Sequence, residues 1–166
     1  MRNKTRKPET LINIAIVLVA VALCAVLARQ YLLTDSARTS RGPEVGSRVE
    51  LAGVDLSKEE RALLLVLQKD CRFCTDSGPF YRRLAREAAT RGGRVKLFAV
   101  LPDGAEDATR YLADLGVPVE RVLQSRLNSL DVSGTPTLIL LDRGTVSDVW
   151  VGALPPEQET EVLGKL

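Results

Sequence analysis

An α/β fold, a three-layer α/β/α sandwich around a mixed central sheet, is predicted by three features of this sequence. Continuous apolar runs of strand length occur at Ala62 to Leu67 and Val95 to Leu101, the pattern of strands covered on both faces. Stretches with helical spacing separate and follow these runs. A turn at Asp142-Arg143-Gly144 joins two further apolar segments as a hairpin, ahead of a closing helical stretch.

Each element has its own local reason. Val49 to Leu56 reads as a short strand or hairpin at the start of the domain, and Ala62 to Leu67 as a central strand. Phe80 to Thr90 is helical: Phe80, Leu84 and Ala88 recur at helix spacing, arginines lie between them, and Arg91-Gly92-Gly93 stops the run. Val95 to Leu101 is the second buried strand. Ala105 to Leu115 is an amphipathic helix, with Ala108, Tyr111, Leu112 and Leu115 on one face and Gly116 closing it. A short strand at Val119 to Leu123 and a brief helix near Ser125 to Leu130 follow. Strands at Thr137 to Leu141 and Thr145 to Val151 form the hairpin, and Pro155 to Lys165 is the last helix, with Pro156 in its first turn. Helices are expected on both faces of the sheet.

The N-terminus has a different character. Leu11 to Ala28 is an 18-residue apolar run in which Asn13 is the one strongly polar residue. At about 1.5 Å per residue it spans roughly 27 Å, close to the hydrocarbon thickness of a bilayer. Tyr31-Leu32-Leu33 extends the run into the interface. Arg2, Lys4, Arg6 and Lys7 precede it, and positive charge on that side favours a cytoplasmic N-terminus with the rest of the chain exported. The sequence thus reads as a basic tail at 1–10, a transmembrane anchor at 11–33 in contact with lipid, a flexible linker at 34–48 rich in Ser, Thr, Arg, Gly and Pro, and one domain at 49–166. A cleaved signal peptide ending near Ala28 is the competing reading, and it exports the domain equally. Cys24 reads as an inert apolar residue of the span.

Composition removes several function classes. The 166 residues carry 23 Lys and Arg against 21 Asp and Glu, and the first 30 residues hold five of those cations and a single acid. The basic excess is therefore terminal, and the main body has no nucleic-acid signature. The chain has no histidine. That excludes Ser-His-Asp and Cys-His catalysis, histidine-ligated metals, and copper delivery by two cysteines and a histidine.

The chemistry-bearing motif is Cys71-Arg72-Phe73-Cys74, set directly after the first apolar run and followed by Pro79. Two thiols at a helix start meet unpaired backbone N–H groups that stabilise a thiolate, the species that attacks disulfides. Cys71, nearer the helix start, is the expected nucleophile, and Cys74, one turn in, the expected resolving thiol. Arg72 either lowers the thiolate pKa and meets a partner or is a solvated surface charge. Phe73 either offers a partner an apolar contact or packs against the segment around Pro136. Pro79 either kinks the active-site helix or marks a break in it. A structural zinc site needs four ligands, which one pair of cysteines without histidine does not supply, so neither metal nor cofactor is expected. A short-loop structural disulfide is the remaining alternative for the pair.

The strand before Cys71, the Cys-x-x-Cys, Pro79, Gly134-Thr135-Pro136-Thr137, the final hairpin and the closing helix together resemble the thioredoxin superfamily. The likeness runs from about Val45 to Leu166 and is greatest to the membrane-tethered, extracytoplasmic TlpA/ResA-type redoxins. The segment between Val95 and Ser133 suits that branch. The resemblance implies a thiol–disulfide oxidoreductase, a cis peptide bond before Pro136, and a groove at Thr135 and Pro136 that holds a partner chain near Cys71. It also implies protein thiols and disulfides as partners, with a membrane thiol-electron transporter as donor. The chain departs from the pattern in two places. Lys69-Asp70 stand where a Trp ordinarily precedes the first cysteine. Leu65 stands where cytoplasmic thioredoxins carry a buried acid, leaving Lys69, Asp70 and Asp76 as nearby charges for that role.

Three functions compete on this basis: a reductase of protein disulfides, a disulfide-forming oxidase, and a non-catalytic tethered interaction module with a structural disulfide. A peroxidase is disfavoured because Gln68 occupies the position of the threonine in a Thr-x-x-Cys arrangement.

Overall fold

The structure is a computed structural model that describes Gly42–Leu166 and, nearer the N-terminus, Val17, Val19, Ala20, Val21 and Leu23. The chain divides into two compact units, Met1–Thr39 and Ser40–Leu166. In the first, the described residues are helical and their side chains exposed. The basic tail, Cys24, most of the 11–33 span and the first part of the 34–48 linker lie outside the described residues. Among the described residues no helix is long and apolar enough to cross a membrane.

In the second unit five strands form one mixed sheet in the order β3-β2-β1-β4-β5. They are β1 (Arg61–Val66), β2 (Val95–Leu101), β3 (Arg121–Gln124), β4 (Thr137–Asp142) and β5 (Thr145–Val151). Four helices accompany them: α1 (Arg72–Asp76), α2 (Gly78–Thr90), α3 (Ala105–Leu115) and α4 (Pro156–Lys165). β1 pairs parallel with β2, and β2 parallel with β3. β4 is antiparallel to both β1 and β5. β1, β2 and β4 are apolar along nearly their whole length because both of their faces are covered.

The parallel connections β1-α2-β2 and β2-α3-β3 step across the sheet in one direction. Connections of one hand laid in one direction put both helices on the same face. That face holds Leu63, Leu65 and Leu67 against Tyr81 and Leu84 of α2, Leu112 and Leu115 of α3 and Val162 of α4. The opposite face is covered differently from the expectation of helices on both sides. Val49, Leu51 and Leu56 pack there from irregular chain, with Leu130 and Val132 from the β3–β4 connection, against Leu64, Val66, Phe98 and Ile139. The two 3-10 turns, Leu56–Lys58 and Leu127–Leu130, are the only helical pieces of that cover among the described residues.

The region read as a strand at Val49 to Leu56 has only isolated bridges, Arg48 with Thr145 and Leu51 with Val54. The ordered chain starts before Val49. Gly46 N–H donates to the Val146 carbonyl at 2.8 Å, Val146 N–H to the Ser47 carbonyl at 2.9 Å, and Val49 N–H to the Gly144 carbonyl at 3.0 Å. Its Gly, Pro and Ser content reads as linker, but its backbone groups pair along β5.

The expected turns are present. Gly116, in the left-handed region at φ 66°, ends α3 with its N–H on the Ala113 and Leu112 carbonyls. A two-residue loop with Arg143 at φ 47° and Gly144 at φ 79° joins β4 to β5, the sign pattern of a type I′ hairpin turn. β3 starts at Arg121 rather than Val119.

Candidate active site

The sheet register brings the two motifs together. Val66, the last residue of β1, pairs with Thr137, the first of β4, and the pairing is antiparallel. The chain leaving β1 and the chain arriving at β4 therefore meet at one end of the sheet. Gln68 to Asp70 turn the chain, Cys71 N–H bonding to the Gln68 carbonyl at 3.2 Å, and α1 begins. The Thr135–Pro136 peptide bond is cis. The Cys71 thiol donates to the Thr135 carbonyl at 3.3 Å.

Cys71 is the N-cap of α1, and its sulfur accepts the Cys74 N–H at 3.2 Å, so this thiol caps its own helix. Desolvation raises the Cys71 thiol. Hydrogen bonding with the Cys74 and Thr135 side chains, and with the Cys74 and Phe73 backbone, outweighs it and leaves the pKa below the ordinary 9.0. Cys74 is fully buried, and burial together with its bond to Cys71 pushes its pKa up to about 12. The two cysteines are free thiols, one partly exposed and one enclosed. This asymmetry gives the pair one reachable thiol and one shielded thiol.

Pro79 marks a break rather than a kink. Ser77 closes α1 with its N–H on the Phe73 and Thr75 carbonyls, and α2 restarts with Pro79 in its first turn. A proline there lacks only an N–H that would be unpaired anyway. Arg72 is turned to Asp76 at 3.3 Å, and its side chain is 88% exposed. Paired with Asp76 and open to solvent, it fits the solvated charge of its two readings. Phe73 is 61% exposed, two residues from Cys71, which fits the apolar contact of its two readings better than the packed one. Thr135 presents its carbonyl to Cys71, and Pro136 is buried behind it, its own carbonyl accepting from Gly152 N–H at 2.7 Å.

No surface charge takes over from the buried acid that Leu65 replaces. Leu65 is fully buried. Asp70 is exposed, Asp76 is occupied with Arg72, and Lys69 contributes its backbone N–H to Asp103. Sequence reasoning missed two tyrosines here. Tyr111 of α3 shares a 3.2 Å hydrogen bond with Thr75 Oγ1. Tyr81 of α2 is fully buried in the same cluster as Cys74. Both sit at helical core spacing, which hid their hydroxyls. Among the described residues no cluster of acids and cysteines has the makings of a metal site.

No protein-family model and no curated protein matches this sequence. Solved structures do match. A thiol-disulfide isomerase from Corynebacterium glutamicum is 20% identical, aligns over 75% of this chain and 91% of its own, and gives a TM-score of 0.54. A protein assigned as the thiol:disulfide interchange protein DsbE in Chlorobium tepidum is 26% identical over 75% of this chain and 98% of its own, also at 0.54. StoA from Bacillus subtilis is 17% identical over 63% of this chain and 83% of its own, at 0.50. Fold, neighbours and paired thiols together define a thioredoxin-superfamily protein, a thiol–disulfide oxidoreductase by class. Within that class it is similar to the TlpA/ResA-type redoxins.

Proposed function

We propose that this chain reduces protein disulfides in the extracytoplasmic space, held there by an N-terminal anchor at 11–33. The observation that supports reduction is that the Cys71 sulfur accepts the Cys74 N–H at 3.2 Å while the neighbouring Arg72 is turned to Asp76 rather than to the sulfur. Strong oxidants of this fold owe their potential to a greatly stabilised reduced form, with a very low thiol pKa. Here Cys71 is favoured by hydrogen bonds, Arg72 is paired with Asp76, and the second thiol is driven up to about 12. The reduced pair is thus not held back from giving up electrons. The proposal for location rests on the basic stretch and apolar run of the N-terminus.

The steps follow from the geometry. A partner disulfide settles against Thr135 and Pro136, with Phe73 as an apolar contact. The Cys71 thiolate attacks one sulfur, and the other leaves as a thiolate. Cys74 then loses its proton and attacks Cys71 Sγ, releasing the partner's second sulfur as a thiol. Two electrons have passed to the partner, and Cys71 and Cys74 are left as a disulfide. A dithiol donor, for which a membrane thiol-electron transporter is the proposed source, restores the pair.

Equilibrating the full chain with dithiothreitol or glutathione tests the direction. A potential near the thioredoxin value, about −270 mV, supports a reductase, and one near −120 mV establishes the oxidase instead. A pair still oxidised well below about −300 mV is a structural disulfide and ends the redox reading.

A further inference from the structure

The resolving step leaves a chemical question open at Cys74. Its thiol is enclosed and its pKa lies near 12, yet it must become a nucleophile once Cys71 is tied to a partner. No carboxylate reaches it, because Leu65 fills the strand position behind it and the nearby acids lie at the surface. A group that stabilises charge on Cys74 without carrying charge itself would answer this.

Tyr81 is placed for that part. Its hydroxyl is the single buried side-chain polar atom without a hydrogen-bond partner among the described residues. Leaving such a group unpaired forfeits the hydration it had in the unfolded chain. Ser77 is close enough to favour its phenolate, without the geometry of a full hydrogen bond to it. The break at Ser77 sets the position: Tyr81 N–H bonds to the Ser77 carbonyl at 3.2 Å, so Tyr81 lies one turn into the second helix. Helical side chains lean back over the preceding turn, which here is the turn leading back to Cys74. Tyr81 and Cys74 are both fully buried and pack in one cluster. Burial, and the proximity of both cysteines and Tyr111, hold the phenol firmly in its protonated, donating form.

We infer that the Tyr81 hydroxyl is a positioning residue for the resolving thiol: it donates a hydrogen bond to the Cys74 sulfur as that sulfur takes on charge to attack the Cys71 mixed disulfide. The orphan hydroxyl gains its partner only on the way to that transition state, which is where an interaction accelerates a reaction. The proton leaves Cys74 for the departing partner thiolate or solvent, and Tyr81 keeps its own. This inference rests on the oxidoreductase reading.

The test uses the reduced full chain carrying Cys24→Ser, so that only the pair reports, mixed with dithiobis(nitrobenzoate) and followed by rapid mixing. Attack by Cys71 releases one nitrothiobenzoate, and resolution by Cys74 releases a second. In Tyr81→Phe the first release should stay within about twofold and the second should slow about tenfold, the scale of one hydrogen bond to a charged acceptor. Mass spectrometry should show the Cys71 adduct accumulating. The thermal midpoint should not fall, since Phe keeps the ring and removes an unpaired hydroxyl. Tyr81→Leu, which also lacks the hydroxyl, should show the same split should the Phe variant fail to fold. A second release at the parent rate overturns the inference, as does equal slowing of both steps, which would mark a packing role. Absence of a first release in the parent chain overturns the oxidoreductase reading, and this inference with it.

Discussion

The Cys71 sulfur lies 3.3 Å from the carbonyl oxygen of Thr135, a residue 64 positions away in sequence. The antiparallel pairing of Val66 with Thr137 brings them together, so the site depends on the register of β1 against β4. A slip of one residue would exchange the side chains that meet on the two covered faces, and the close packing of Leu63 to Val66 and of Leu138 to Leu141 on both faces resists it.

Removing the waiting thiol should separate the two steps. Cys74→Ser retains the attacking sulfur and should accumulate a mixed disulfide with a model protein substrate, visible as a covalent adduct on a non-reducing gel. Cys71→Ser should form no adduct and lower disulfide reduction by about a thousandfold or more, the scale of losing a covalent nucleophile. Adduct formation by Cys71→Ser would show that Cys74 is reachable.

Alkylation of Cys71 by iodoacetamide should rise with pH as the thiolate forms, with its midpoint below 9.0. Arg72→Ala should move that midpoint by no more than roughly 0.3 pH units, because the guanidinium is solvated and engaged with Asp76. A larger upward move would restore Arg72 as the activator of the nucleophile.

The same two thiols give the reduced chain a pH-dependent stability. Cys74, raised when folded, contributes stability fully present below its unfolded pKa near 9.0 and lost as pH rises toward about 12. Cys71, lowered when folded, contributes stability present above 9.0 and lost as pH falls through its folded value. The Cys74 shift is the large one. Thermal melts of the reduced chain between pH 9 and 12 should therefore drop more steeply than those of a Cys74→Ala variant.

Arg143 occupies a left-handed position that an unbranched cation tolerates poorly. Arg143→Asn should raise stability by about 0.5 kcal/mol, and Gly144→Ala should lower it by about 1–2 kcal/mol. The added methyl at Gly144 would also approach Ser57 N at 3.3 Å. Urea midpoints at constant slope measure both.

How much of this was legible in the sequence depended on where the information lay. β2 and α3 are bounded by residues that carry their own signals, apolar runs and Gly116, and they fall where the pattern puts them. The cysteine pair was equally plain, since its neighbours in sequence are its neighbours in space. Composition hid Gly46 and Ser47, whose structure consists of backbone pairing that any residue can supply. It also hid the cover of the second face, where scattered apolar residues such as Leu51 and Leu130 replace periodic helices. Tyr81 drew no notice in the helical pattern of Phe80, Leu84 and Ala88; only its burial without a partner distinguishes its hydroxyl.

Gly46 and Val49 place their amides along the outer border of β5, and Gly42 approaches so closely that a Cβ there would meet Val149 Cγ1. The opposite border, β3, is four residues long and bears Arg121. A sheet sealed on one side and short and charged on the other offers little template for a second molecule to extend. The stretch that leads into the domain thereby governs colloidal behaviour: trimmed away, it would leave the outer flank of β5 open to pairing with a second molecule.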